Sequence, residues 1–208
     1  MAPIMRPVTT TELPTTLQHL LQANADSNPA FNALLHDYAK YHAVLAVLGG
    51  LVTSGLVLLT VCAWRRSRAL AVASAVLGLL TAVIVFANAG NALNPRHGLE
   101  GTIPILRMTQ PGTEQARVQQ ATNAWLRSGS ADKPRLLQDK IDARLSWQRP
   151  KAIITSVLFV AFVGLCIRIR RRRIVSTVAM LCTLVLLVMA VANTQASFAP
   201  MVLTVLYG

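Results

Sequence analysis

Apolar positions in this chain are gathered into blocks. Four stretches, residues 43–64, 69–93, 152–167 and 174–199, contain no Asp, Glu, Lys or Arg. A helix rises about 1.5 Å per residue and needs about 20 residues to cross roughly 30 Å of hydrocarbon, so the first, second and fourth blocks are long enough to span. The third is short. Lys151 and Arg168 flank it, and their stems can lie along apolar surface while the charges rise to the interface. The pattern predicts an all-α membrane protein in which four transmembrane helices form two tandem hairpin repeats, with helical segments outside the bilayer. The boundaries that follow are 1–42, outer N-terminal helices; 43–95, first hairpin; 96–150, outer helical loop; 151–200, second hairpin; and 201–208, an apolar tail. No basic stretch precedes an N-terminal apolar core, so none of the blocks is expected to be a cleaved leader.

The polar segments carry a helical period of their own. Asn28 is placed to cap a helix begun by Pro29, and Leu34, Leu35, Tyr38 and Tyr41 recur on one face as it enters the first block. Asp132 precedes Pro134, and Leu137, Ile141 and Leu145 form the matching stripe before Trp147. Tyr41, Trp64 and Trp147 fall where span ends meet headgroups, which suits their amphipathic rings.

The chain also aligns with itself. At an offset of 105, Arg65, Arg66 and Arg68 fall on Arg170, Arg171 and Arg173, and Leu79 and Val83 fall on Leu184 and Val188. Ala87, Asn88 and Pro95 fall on Ala192, Asn193 and Pro200 at the same offset. At 102, Leu34-Leu35-His36-Asp37 meets Leu136-Leu137-Gln138-Asp139, and at 101, Pro3-Ile4-Met5-Arg6 meets Pro104-Ile105-Leu106-Arg107. This order predicts a tandem duplication. Each unit returns to its starting side, so the copies should be related by a pseudo-two-fold axis along the membrane normal.

Composition agrees with a bilayer setting: 53% of the 208 residues are hydrophobic, 13% are charged, and the mean hydropathy is +0.49. The net charge of +12 is informative through its distribution. The turns joining the paired blocks hold Arg65, Arg66, Arg68, Arg168, Arg170, Arg171, Arg172 and Arg173, and no acidic residue. Dense arginine beside spans stays on the cytoplasmic side and meets anionic lipid headgroups. Both turns are thus expected to be cytoplasmic, and both termini extracytoplasmic, in a multi-pass plasma-membrane protein. Neither turn interleaves aromatics with its arginines, so nucleic acid is not the expected partner.

Chemistry is sparse. Pumps and membrane enzymes keep ionisable groups at depth because burying a charge is costly, and the four blocks hold none. His19, His36, His42 and His97 lie outside the blocks at no metal-ligand spacing, so neither metal nor haem is expected and no cofactor is assigned. Cys62, Cys166 and Cys182 lie within or at the ends of the blocks. Asp139 and Asp142 share a helix face with Arg135 and Lys140 nearby, which reads as a solvated charged surface.

Contact features are more plentiful. Gly50 and Ser54 in the first block, and Ser74, Gly78 and Ala82 in the second, are small residues at four-residue spacing that admit a neighbouring backbone. Asn88, Asn91 and Asn94 form an amide ladder at the end of the second block, matched by Asn193 and Gln195 in the fourth. The uncharged tail, with Met201, Leu203, Leu206 and Tyr207, suits an interface or a groove of another protein. Leu137 and Ile141 are candidate partner contacts on the same reasoning.

The Ala, Val, Leu and Arg usage together with this layout resembles small actinobacterial accessory membrane subunits of mycobacterial envelope transport machinery, such as lipid importers of the mammalian-cell-entry type. The resemblance implies a non-catalytic accessory or assembly subunit whose partners are other integral membrane subunits; no functional residue is carried over. A small transporter or channel with its pathway between two parallel repeats is the alternative, and a membrane enzyme ranks third.

Overall fold

The computed structural model describes residues 12–65, 67–106, 110, 112–169 and 173–207, with the side chains at 167, 169, 173–181, 206 and 207 set aside. The described residues form helices and no strand: α1 Glu12–Gln22, α2 Pro29–Ala63, α3 Arg68–Leu93, α4 Pro95–Glu100, α5 Ile103–Leu106, α6 Glu114–Ser128, α7 Arg135–Ile169, α8 Arg173–Phe198 and α9 Pro200–Tyr207. Arg66, Arg107, Arg170, Arg171, Arg172 and the stretch Pro3 to Arg6 lie outside the described residues, as do the side chains of Arg173, Leu206 and Tyr207.

Local chemistry sets the helix ends. Asn28 accepts the Phe31 N–H at 2.9 Å while Pro29 supplies the first residue of α2. Ser67 and Thr113 do the same for α3 and α6, accepting from Leu70 and Ala116 at 3.3 and 3.2 Å. Gly129, at φ 63°, closes α6 in the left-handed region that glycine enters without strain. The helix α7 continues past Pro150, where the missing N–H leaves the Ser146 carbonyl without its helical donor.

The helices α2, α3 and α7 each contain a stretch long and apolar enough to cross a membrane. In α8 the described apolar run, Cys182–Phe198, is shorter. The helix α2 pairs along its length with α3, and α7 with α8, giving two antiparallel hairpins. Their outer faces carry Val47, Leu58, Leu79, Phe86, Val157 and Val188, each more than half exposed. Apolar surface on that scale belongs against lipid or another protein.

The remaining elements close into one helical head. The N-terminal turns of α2 and α7 continue out of the hairpins and meet α1, α4, α5, α6 and α9 around a single apolar core. Leu17, Phe31, Leu34, Tyr38 and Leu106 meet Trp125, Leu126, Leu137 and Val202 there, all at most 2% exposed. Polar ties join distant segments at its edge: Asn28 Nδ2 donates to the Leu126 carbonyl at 2.8 Å, and Gln115 Nε2 donates to the Val205 carbonyl at 2.6 Å. Asp26 pairs with Arg96, Glu114 with Lys140, and Glu12 with Arg127 at 3.4 Å.

This head corrects one sequence expectation. Leu137, Ile141 and Met201, read as partner contacts, are buried among the chain's own side chains, as are Val202 and Val205 of the tail. The apolar tail has a groove to fill, but the groove belongs to the same chain. Three residues of α9 burying against α2, α6 and α7 remove from water the surface that would have attracted a partner.

Candidate functional site

The small residues of the two hairpin helices divide into those the chain uses and those it leaves open. Ser74 is buried against α2, where its hydroxyl meets that of Thr60 at 2.9 Å. A Cβ added at Gly78 would stand 3.5 Å from that of Leu56, ordinary contact distance, so this glycine sits at the α2–α3 seam. Ala82 is half-buried on α3, one turn beyond Gly78. Beside it at the same level of α3, Thr81 accepts a hydrogen bond from Thr53 at 2.9 Å. On α2, Gly50 and Ser54 lie elsewhere. A Cβ at Gly50 would meet nothing within 4 Å, and Ser54 is exposed with its hydroxyl bonded back to the Gly50 carbonyl at 2.9 Å. It is Gly49, next door, that faces α3, with Val85 only 2.8 Å from a virtual Cβ.

The turns stay open. Arg65, Arg68 and Arg168 are exposed. In the second hairpin Asn193 bonds only to its own helix, donating to the Met189 carbonyl at 2.7 Å. Asn88, which aligns with it in the sequence, does more and leads to a sizeable polar cavity.

That cavity, about 540 Å³, lies where the first hairpin enters the head. The helix α2 contributes Tyr38, Tyr41, His42 and Leu45; α3 contributes Asn88 and Asn91; and α4 with the residues after it contributes His97, Gly98, Gly101 and Thr102. The fold that places them follows from one tight turn. Asn94 ends α3, Pro95 starts α4, and the short helix folds back over the end of the hairpin. Gly98 makes that return possible, because a Cβ there would lie 2.8 Å from the Tyr38 hydroxyl and 2.9 Å from Asn91 Oδ1.

Inside, His42 Nδ1 meets Asn88 Oδ1 at 2.7 Å. The Asn88 amide nitrogen donates to the Ile84 carbonyl at 2.8 Å, which turns its oxygen toward the imidazole. His42 thus carries its proton on Nδ1 and leaves Nε2 as an acceptor. The Tyr38 and Tyr41 rings lie 4.4 and 5.0 Å from that of His42, so the imidazole sits in an aromatic corner. The lining has hydroxyls, amides and imidazoles but no carboxylate, lysine or arginine. Among the described residues no group of three or more His, Cys, Asp or Glu could hold a metal ion.

The amide ladder pointed to this place, because Asn88 and Asn91 were visible at one end of a span. His42 has no metal-ligand partner at a telling spacing in the sequence, and His97 and Gly98 sit on a six-residue helix too short to show a period. No protein family, curated protein or solved structure matches the chain.

Proposed function

We propose that the chain is a non-catalytic accessory or assembly subunit of a larger membrane complex, holding its helical head outside the cytoplasm on four spans arranged as two tandem repeats. The matched geometry of the halves supports the repeat reading. The helices α2 and α7 are each 35 residues long, α3 and α8 each 26, and a proline at 95 and at 200 starts the short helix that follows each hairpin. The helix α4 folds back on α2 as α9 does on α7, and α1 meets α4 as α6 meets α9. The symmetry is incomplete, since α2 packs on α8 more than α3 does on α7. The arginine turns put both hairpin tips in the cytoplasm on this reading.

The observation that carries the functional reading is how the first hairpin uses its hydroxyls. Thr53 donates to Thr81 and Thr60 meets Ser74 across the α2–α3 seam, while Thr60, Ser74 and Thr81 each also bond a carbonyl of their own helix. Hydroxyls committed to a seam do not line a pathway, which weighs against the transporter reading. The Gly50–Ser54 ridge, which no side chain among the described residues covers, is the face we assign to a neighbouring subunit. An envelope lipid-transport complex is the setting that the resemblance suggests.

The test is co-purification in mild detergent, comparing the wild type with a Gly50→Leu, Ser54→Leu double variant. The variant should insert and fold, because both positions are open, and should lose its partners. Retained partners, or solute flux through purified protein alone in liposomes, would sink the proposal.

A further inference from the structure

We propose that the cavity between α2, α3 and α4 is a binding site for a neutral polyhydroxylated group, a glycosyl unit presented at the outer surface of the bilayer. The inference stands on the cavity, and its placement at the outer surface rests on the membrane orientation proposed above. Its volume of about 540 Å³ falls within the roughly 300–1,000 Å³ of small-molecule sites.

The lining selects the ligand class. A phosphate or carboxylate calls for arginine or lysine, and an ammonium group for a carboxylate or an open aromatic cage; the lining holds none of those charges. Arg96, adjacent in sequence, is already committed to Asp26 and Asn24. The groups present include both donors and acceptors. His42 offers Nε2 as acceptor, Asn91 has an amide with both functions, and Thr102 a hydroxyl, although that hydroxyl already donates to the Leu99 carbonyl at 2.7 Å. A sugar ring, whose hydroxyls donate and accept together, matches such a set, and the Tyr41 ring can cover a ring's C–H face.

Position selects the source. Leu45 lies within the first apolar block, and His97 and Gly98 stand above the last turn of α3, so the cavity straddles the level where hydrocarbon gives way to headgroups. A glycosyl headgroup whose acyl chains stay in the bilayer reaches it without leaving the membrane.

The test uses the full chain in phosphatidylcholine nanodiscs and reads the imidazole proton resonances of its four histidines. His42 and His97 line the cavity, while His19 and His36 lie elsewhere in the head and report on folding. Adding digalactosyl diacylglycerol should shift His42 and His97 and leave His19 and His36 in place. Phosphatidylglycerol at equal mole fraction should shift none. Soluble digalactosylglycerol separates the sources: a shift with the lipid alone assigns a membrane-presented headgroup, and a shift with both assigns recognition of the sugar from either phase. Asn91→Ala should weaken the response about tenfold, and Gly98→Ala, which presses a methyl onto Tyr38 and Asn91, should reduce it as well. A silent His42 and His97 with the glycolipid, an equal shift with phosphatidylglycerol or with a quinone, or a response unchanged in Asn91→Ala would overturn the proposal.

Discussion

The Asp37 carboxylate accepts a hydrogen bond from the Val202 N–H at 2.9 Å, joining α2 to the first turn of α9 across 165 residues. Two of the orphan N–H groups at the start of α9 point at it, those of Val202 and Met201, so a residue from another element serves as the cap. Burial holds the Asp37 pKa above the ordinary carboxylate value; the Val202 N–H and the charges of Lys133 and Lys40 oppose that shift without cancelling it.

The pH consequence follows from the sign. With a raised folded pKa, the head binds this proton more tightly than the unfolded chain does. The contribution of Asp37 to stability is therefore complete below the ordinary carboxylate pKa and is lost as the pH rises through the raised value. Thermal melts of wild type and Asp37→Asn across that window should move in favour of the variant as pH increases. Asp37→Ala should in addition cost about 1 kcal/mol at every pH through loss of the cap.

Truncation after Pro200 removes Met201, Val202 and Val205 from the core of the head. At about 1.5–3 kcal/mol per buried side chain, the loss is roughly 4–9 kcal/mol, comparable to the whole stability of a small domain. The truncated protein should still insert, while hydrogen exchange in α1 and α6 should lose its protection. Leu137→Asp should act in the same direction by placing an unpaired carboxylate in that core. Slow exchange retained in either variant would show that the head does not rely on these residues.

Gly50 and Gly78 look alike in sequence and should respond oppositely. Gly78→Leu should force α2 and α3 apart, since its neighbour Leu56 is already at contact distance. Gly50→Leu should leave the hairpin intact. Disulfide trapping between cysteines placed across the α2–α3 seam, in a background free of the native cysteines, would register the difference as a fall in cross-linking for Gly78→Leu alone.

Cysteines replacing Arg65 and Arg168 should resist an impermeant thiol reagent in intact cells, and cysteines replacing Glu12 and Asp132 should react. The reverse pattern would invert the orientation drawn from the arginine turns.

The parts of this fold that were legible in the sequence are those whose physics is local. The Asn28-Pro29 start of α2, the stripe Leu34, Leu35 and Tyr38, and the stripe Leu137, Ile141 and Leu145 follow from capping and helical period. What those stripes face was not legible. Nothing in residues 201–207 says that they return to Asp37, because that pairing depends on how two hairpins stand together. The cavity shows the same division: Asn88 and Asn91 advertise themselves by spacing, whereas His42 joins them only once α2 and α3 lie side by side.

The docking of α9 also orders events during synthesis. The head needs residues 201–205, and these follow the whole of α8, so α1, α2 and α6 must wait with an open apolar seat until the second hairpin has been made. Until residues 201–205 have been made, the seat they fill in the head's core lies open to proteases and chaperones.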